Sequence, residues 1–188
     1  VLASTLDYVY GVEAGTGNIV RYDLNAKSQS TIFAGAGANN ALAYDGTRGH
    51  LYYFDSVTGG GNLWYVDVSG SSASTPVQLG SAASLGLASA GLSTDSAGFY
   101  DGSLWVIAKN KEQIDRLTFN YAGNTPTLQS TVTYTFTGIN TSAYNIAGGD
   151  IAFSPDGQLY GTTQNSDGGL VYRLDFTQIN ETNKTIPW

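Results

Sequence analysis

His50 is the only histidine in the chain, and histidine is the side chain that most often transfers protons near neutral pH. A histidine general base needs a nucleophile and an orienting partner, and the sequence contains no Gly-x-Ser-x-Gly nucleophile elbow. A single histidine also excludes a metal centre built from several histidines. We therefore expect His50, which precedes a predicted strand, to have a structural or solvated role and not a catalytic one.

Carboxylates are the other groups that could act as acids, bases or cation ligands, and the chain has 15 of them. Several aspartates recur at equivalent places, in predicted third strands and in predicted turns: Asp23, Asp67 and Asp175, then Asp45, Asp101 and Asp156. A catalytic pair occurs once, whereas structural residues recur in every repeat. The calcium-loop pattern Asp-x-Asp/Asn-x-Asp/Asn-Gly is absent. We expect structural aspartates and no cofactor, with adventitious Ca²⁺ bound by turn carbonyls and aspartate left open.

Aromatic side chains in the predicted strands could stack on sugar rings; they are Tyr52, Tyr53, Trp64, Tyr65, Trp105 and Tyr160. Alternating aromatics in stacked sheets more commonly pack between the sheets, so we expect core positions and keep carbohydrate binding as an alternative.

The glycine cluster Gly15-Thr16-Gly17 connects strand to strand. The helix N-terminus that binds nucleotide phosphates is therefore missing, and nucleotide binding is not expected.

Four repeats position these residues, each with a strand, a turn, a second strand, a turn and a third strand. They cover about 1–38, 39–94, 95–147 and 148–188. Their anchoring aromatics Tyr10, Tyr52, Trp105 and Tyr160 lie 42, 53 and 55 residues apart. A period of this length with several short strands per repeat is typical of β-propeller blades. We predict one all-β domain over 1–188, a β-propeller of about four blade-like repeats with three to four antiparallel strands each.

Local signals refine this pattern. Fourth strands are predicted at 30–34, 76–79 and 131–136, whereas Thr177–Trp188 is polar and is predicted to be an edge or tail. The Asp-Gly pairs at 45–46, 101–102 and 156–157 favour two-residue hairpin turns. Gly80–Ala97 is predicted to be a linker, with a loop that closes a pocket or meets a neighbouring subunit as the alternative. Three residues of the fourth repeat are predicted to be buried: Phe153, Leu159 and Leu170.

Composition limits the partners. The net charge of −7 with only eight Lys and Arg provides no basic surface for nucleic acid or anionic lipid. No apolar run reaches the length of about 20 residues that spans a bilayer, so membrane insertion of this segment is not expected. The chain has no cysteine, which excludes disulfides and thiolate chemistry. Val1-Leu2-Ala3-Ser4 fits the end left after signal-peptide cleavage, and we expect a secreted or cell-surface protein.

The segments Asp150-Ile151-Ala152-Phe153-Ser154-Pro155-Asp156-Gly157-Gln158-Leu159-Tyr160 and Gly17-Asn18-Ile19-Val20-Arg21-Tyr22-Asp23-Leu24 resemble a known repeat. It is the YVTN/NHL-like β-propeller repeat of prokaryotic secreted and cell-surface proteins. The resemblance covers nearly the whole chain and implies the propeller fold. Enzymes, adhesins and structural proteins all share this repeat, so it does not select an activity. Such propellers commonly have six or seven blades, and four repeats make either a small ring or part of a larger one.

The sequence thus favours an extracellular or cell-surface β-propeller that acts as a structural, adhesive or assembly module and is not an enzyme. One alternative is a propeller enzyme, a lactonase-like hydrolase or a lyase, with a metal in the central channel. Its ligands would come from the ends of the inner strands: Asn39, Asn40, Asp95 and Asp150. Another alternative is a carbohydrate-binding module that recognises a surface glycan.

Self-association is the expected partnership. Unpaired strand edges accept strands from other chains, and both terminal repeats look incomplete in the sequence. The first repeat lacks the Asp-Gly turn, and the fourth lacks a convincing fourth strand. We expect the terminal strands to contribute to contacts between subunits, with Thr177–Trp188 as the donor, and keep a monomer with a frayed tail as the alternative.

Overall fold

The fold is that of a computed structural model, which describes residues 8–38, 41–55, 61–70, 72–88, 90, 94–108, 112–138, 149–163 and 169–187. Fifteen strands and one short 3-10 helix make up its regular structure. The first seven strands are β1 (Tyr8–Val12), β2 (Ile19–Asp23), β3 (Ser28–Phe33), β4 (Leu42–Asp45), β5 (His50–Phe54), β6 (Asn62–Asp67) and β7 (Val77–Ser81). The others are β8 (Thr94–Tyr100), β9 (Ser103–Ala108), β10 (Gln113–Ala122), β11 (Thr125–Thr137), β12 (Ile151–Phe153), β13 (Gln158–Thr162), β14 (Val171–Asp175) and β15 (Thr185–Pro187). The 3-10 helix covers Phe176–Gln178.

The strands form four sheets in chain order, each a meander of neighbouring antiparallel strands. Sheet 1 contains β1 to β3, sheet 2 contains β4 to β7, sheet 3 contains β8 to β11, and sheet 4 contains β12 to β14. The all-β prediction is confirmed. None of the sheets formed by the described residues closes on itself.

Strand β15 joins sheet 3, where it pairs in parallel with the outer strand β11 through Thr135 opposite Thr185 and Phe136 opposite Ile186. The predicted tail at Thr177–Trp188 therefore contains a strand of its own. That strand covers the outer edge of sheet 3 of the same chain, and Ile186 is fully buried there.

Each sheet has two faces, and side chains alternate between them along every strand. We call the face toward the next sheet in the chain the leading face, and the face toward the previous sheet the trailing face. In β5, Tyr52 and Phe54 lie on the leading face, in a cluster with Leu104 of sheet 3. Leu51 and Tyr53 lie on the trailing face, in a cluster with Ile19 of sheet 1. All five residues of β5 are buried, because sheet 2 is covered on both sides.

Three apolar clusters join successive sheets. The cluster between sheets 3 and 4 contains Trp105, Ile107 and Ile114 of sheet 3 with Leu159 and Leu174 of sheet 4. The cluster between sheets 2 and 3 also takes in three residues of the predicted linker, Ala82, Leu85 and Leu87. The middle of that segment is thus packed between two sheets. The linker prediction was wrong for its two ends, because residues 80–81 belong to β7 and residues 94–97 belong to β8.

The Asp-Gly turns differ from each other. Asp101 and Gly102 form a two-residue connection between β8 and β9, with positive φ values of 47° and 73°. The connection after Asp45 is longer, because the Asp45 carboxylate accepts the Thr47 amide and the Asp45 carbonyl accepts the Gly49 amide. The connection before Gln158 is also longer, since Pro155 lacks the amide hydrogen and Ser154 closes the loop onto Gln158. The two-residue prediction was therefore wrong for two of the three pairs.

The burial predictions for the fourth repeat have different outcomes. Leu159 is fully buried, and Phe153 is partly buried against the same cluster. The prediction for Leu170 was wrong, because this residue is exposed. Leu170 precedes β14 at the end of sheet 4, beyond Tyr172 and Leu174, whose side chains pack on sheet 3.

Candidate functional site

His50 is fully buried at the end of sheet 2. Its ring lies among three tyrosine rings, with centroid distances of 6.1 Å to Tyr52, 5.2 Å to Tyr65 and 6.1 Å to Tyr121. Burial lowers the pKa of His50, although Asp67 and Asp45 act in the opposite direction. The histidine is therefore held neutral in an aromatic enclosure.

Two carboxylates flank this histidine. Asp45, His50 and Asp67 lie directly opposite one another on β4, β5 and β6, so their side chains share the leading face of sheet 2. Asp45 is buried and binds the Arg48 guanidinium at 3.2 Å, and Arg48 in turn lies 3.7 Å from the centre of the Tyr121 ring. Arg48 thus connects Asp45 of sheet 2 to Tyr121 of sheet 3. Among the residues that the structure describes, no group of three or more acidic or histidine side chains could hold a metal ion.

The recurring aspartates at the strand ends each organise the loop that follows. Asp23 accepts the Asn25 and Ala26 amides at 2.9 and 2.8 Å. Asp67 accepts the Ser69 hydroxyl at 2.6 Å, and this bond, more than any other, lowers the pKa of Asp67. Asp175 caps the 3-10 helix through Thr177, whose hydrogen bonds lower the pKa of Asp175 to about 2.

Of the four residues proposed as channel ligands, the structure describes the side chain of Asp150 alone. Asn39 and Asn40 lie outside the described residues, and so does the side chain of Asp95. In Asp150, one carboxylate oxygen accepts the Ile151 amide at 2.9 Å, and desolvation of the carboxylate raises the pKa of Asp150. The proposed ligand set therefore remains a prediction.

Most of the candidate aromatics pack between sheets. Tyr52 stacks on Phe99 and Phe119 at 5.5 and 5.2 Å between ring centroids, and its hydroxyl bonds the Tyr121 hydroxyl at 3.1 Å. Tyr53, Tyr65 and Trp105 are also buried, and the half-buried Trp64 donates its indole N–H to Asp55 at 2.8 Å. Tyr160 differs, because its side chain is exposed on the leading face of sheet 4.

A shallow hollow of about 230 Å³ lies on that same face, lined by Asp150, Ile151, Ala152, Tyr160, Gly161, Thr162 and Val171. A second hollow, of about 290 Å³, lies at the contact of sheets 1 and 2 and includes Tyr10 and Arg21. These hollows are open depressions with side chains of mixed chemistry. The first one exposes the ring of Tyr160, whereas the equivalent rings of Tyr52 and Trp105 are buried.

Sequence reasoning missed a recurring partner of these aromatics. Arg21 lies opposite Tyr10, Arg116 opposite Trp105 and Arg173 opposite Tyr160, each pair on the leading face of its sheet. The signal was present in the sequence, since all three arginines occupy the same place in a third strand. It was overlooked because basic residues were considered only for nucleic acid and lipid.

Solved structures with similar folds are β-propeller-like proteins. A luciferin-regenerating enzyme is 20% identical, with a TM-score of 0.57 over 91% of this chain and 58% of that chain. The Nidogen/Laminin complex contains a chain 15% identical, with a TM-score of 0.57 over 92% of this chain and 59% of that chain. TolB from Acinetobacter baumannii is 15% identical, with a TM-score of 0.53 over 91% of this chain and 38% of that chain.

At these identities the likeness shows the fold alone, and the matching proteins have mixed functions. The chain spans 58% and 59% of the length of the first and second of these proteins and 38% of the third. No protein-family model matches the chain, and no curated protein matches it either. In the described part of the chain, no helix has the length and apolar character that crossing a bilayer requires.

Proposed function

We propose that this chain is part or all of a β-propeller that works as a structural, adhesive or assembly module in a secreted or cell-surface protein. One observation carries the proposal. The side chains that could perform acid–base chemistry, the recurring aspartates and His50, make contacts that stabilise the fold. Asp23, Asp67 and Asp175 each bind the loop that follows their strand. His50 lies in an aromatic enclosure between two sheets.

The composition of the chain supports an extracellular setting. The chain is acidic, with a net charge of −7, and only 12% of its residues are charged. A protein with this surface remains in solution and avoids nonspecific contact with nucleic acid. Binding through shape and aromatic contacts suits such a surface better than electrostatic capture does.

The proposal is tested by measuring binding and turnover in parallel on the purified chain. Binding is scored on arrays of glycans and of extracellular polypeptides, and turnover is scored against lactone and uronate substrates. Each assay is run with added Ca²⁺ and with a chelator. We expect binding without turnover. Turnover that a chelator abolishes would overturn the proposal in favour of a metal-dependent propeller enzyme.

Two tyrosine variants provide a matched comparison for the glycan array. Tyr160→Ala removes the aromatic ring that is open on sheet 4, whereas Tyr44→Ala removes a ring of the same exposure on sheet 2. Loss of glycan binding in the first variant alone would assign the module to carbohydrate recognition through the hollow beside Tyr160. Equal binding by both variants would place the adhesive surface elsewhere.

A further inference from the structure

The hollow of about 290 Å³ lies where sheet 1 meets sheet 2. One of its walls is the leading face of sheet 1, on which Tyr10, Arg21 and Ser30 lie directly opposite one another on β1, β2 and β3. The other wall is the loop after β6, which contributes Val68 and Ser72. Pockets for small ligands commonly enclose roughly 300–1,000 Å³, so a hollow of this volume suits a molecule with a single small ring.

The loop that forms the second wall is held in place by hydrogen bonds at its two ends. The Ser74 amide donates to the Asp67 carbonyl at 2.8 Å. The Asp67 carboxylate accepts the Ser69 hydroxyl and the side-chain amide of Asn124 in sheet 3, each at 2.6 Å. A wall that is already ordered lowers the entropy cost of binding a ligand.

The hollow carries one positive charge, which Arg21 provides, and none of the described residues that line it is acidic. Hydroxyl groups from both walls also line it, among them those of Tyr10, Ser30 and Ser72. The chain as a whole has 15 acidic residues and eight Lys and Arg. A cation surrounded by hydroxyl donors favours an anion that also forms hydrogen bonds.

The equivalent row of sheet 3 indicates which anion this arrangement accepts. Arg116 lies opposite Trp105 as Arg21 lies opposite Tyr10. The Arg116 guanidinium binds the Glu181 carboxylate at 2.8 Å and lies 5.7 Å from the centre of the Trp105 ring. In sheet 3 the chain thus supplies a carboxylate to the arginine beside the aromatic ring. A ligand carboxylate would take the corresponding place beside sheet 1.

We propose that this hollow binds an acidic sugar, a hexuronate, either free or as a unit of a polysaccharide. Its carboxylate pairs with Arg21, its hydroxyls bond those of Ser30 and Ser72, and its ring packs beside Tyr10. A neutral sugar would leave Arg21 without a counterion, and a simple carboxylate would leave the hydroxyls without ligand partners. The inference rests on the proposed adhesive function and names its ligand class.

Titrations of the purified chain test this ligand class by calorimetry and by NMR of the backbone amides. The probes are sodium glucuronate and sodium galacturonate, with glucose, galactose and sodium acetate for comparison. We expect at least one uronate to bind about tenfold or more tightly than its neutral sugar and than acetate, because charge-assisted hydrogen bonds are the strong ones. Added NaCl should weaken the binding. The amide shifts should concentrate around Arg21, Ser30 and Ser72.

A trimer of the bound uronate distinguishes the two sources of the ligand. Tighter binding of the trimer indicates a polysaccharide, and equal binding indicates the free sugar. Either result supports the shared chemistry of the site.

Three variants test the role of Arg21. Arg21→Gln should weaken uronate binding by about tenfold or more, and Arg21→Lys should retain part of it, because lysine keeps the charge but lacks the planar fork of donors. Lys27→Gln is the matched control, since it removes the same charge from the β2–β3 turn of the same sheet, outside the lining of the hollow. Circular dichroism verifies that each variant is folded.

Four results would each overturn the inference: no uronate binding by the wild-type chain, equal binding of uronates and neutral sugars, amide shifts away from the hollow, or wild-type affinity in Arg21→Gln. The amide shifts of the wild-type chain decide the question even where a variant fails to fold. Adhesive binding to other polymers without uronate binding would leave the proposed function standing and remove this ligand. Turnover of a uronate bound at Arg21 would remove the proposed function and leave the site in place.

Discussion

Trp105 and Arg116 lie directly opposite each other on β9 and β10, with the guanidinium carbon 5.7 Å from the centre of the indole ring. The same guanidinium lies 5.2 Å from the Tyr134 ring and binds Glu181 at 2.8 Å. Glu181 also accepts the Tyr134 hydroxyl at 2.9 Å and the Lys184 ammonium at 2.9 Å. One arginine thus connects the centre of sheet 3 to the segment that leads into β15.

Glu181 should make the stability of the protein depend on pH in the acid range. The hydrogen bond from Lys184, assisted by Tyr134 and Arg116, lowers the pKa of Glu181 to about 2, below its usual value of 4.5. A lowered carboxylate pKa gives stability that is present above the unfolded pKa and is lost as pH falls toward the folded pKa. We expect that stabilisation to decline between pH 5 and 2 in urea unfolding, and Glu181→Gln to remove this part of the decline. Identical pH profiles for the two proteins would contradict the prediction.

His50 should act at higher pH and with the same sign. Burial lowers the pKa of His50 in the folded chain below 6.5, the value of the unfolded chain. At a pH between the folded and the unfolded pKa, the unfolded chain therefore binds a proton that the folded chain does not. The contribution of His50 to the free energy of unfolding is therefore complete above about pH 6.5 and declines as the pH falls below that value. Thermal unfolding at pH 7.5 and 5.5 measures the effect. A His50→Gln variant should lose the pH dependence of this step, and its retention in the variant would assign it to other groups.

The same residue provides a test of the proposed function. His50→Ala should leave every binding activity of the chain intact, because His50 is fully buried between sheets 2 and 3. Binding is compared at a temperature where circular dichroism shows both proteins folded. A large loss of turnover without loss of folding would identify His50 as catalytic.

Leu159 and Leu170 form a matched pair for measuring the contact between sheets 3 and 4. Leu159 is fully buried in that contact, so Leu159→Ala should lower the free energy of unfolding by about 2–5 kcal/mol. Leu170 is exposed, so Leu170→Ala should change it by less than about 0.5 kcal/mol. Urea unfolding of both variants gives the comparison. Equal effects would show that sheet 4 does not pack on sheet 3 through Leu159.

The ring of Tyr172 on the neighbouring strand leaves no room for a side chain at Gly161. A Cβ atom on Gly161 would overlap the ring of Tyr172, which lies directly opposite on β14. Gly161→Ala should therefore lower the free energy of unfolding by about 1–3 kcal/mol, and adding Tyr172→Leu should restore part of the loss. Gly46→Ala is the control, because its Cβ would meet only the Tyr44 ring at an ordinary 3.6 Å. A neutral Gly161→Ala would show that the ring of Tyr172 can move aside.

Much of the fold could be predicted from the sequence, because repetition reveals it. The aromatic anchors and the alternation around them located strands such as Leu51–Phe54, which is buried on both faces as predicted. The turns were less predictable, since the length of a connection depends on side-chain bonds such as that of Asp45 to the Thr47 amide. Strand β15 was missed because its three residues gain stability only by pairing with β11, a partner distant in the sequence.

The site was less predictable than the fold. The sequence shows that His50 is alone among histidines, but not that Asp45 and Asp67 flank it, because that depends on the strand register. The hollow beside Arg21 could not be seen either. Its two walls come from different repeats, and only the packing of sheet 1 against the loop after β6 brings them together.

Strand β15 has a consequence for the entropy of the chain. It returns to β11 after the chain has formed sheet 4, so residues 138–184 form a loop whose ends are hydrogen-bonded to each other. When sheet 4 opens while β15 stays paired, the released segment remains a closed loop with fewer conformations than a free end. Opening is therefore less favourable than it would be for an unrestrained terminal sheet. Sheet 4 has only three short strands and would be marginally stable on its own. The pairing of β15 with β11 stabilises this sheet although neither strand belongs to it.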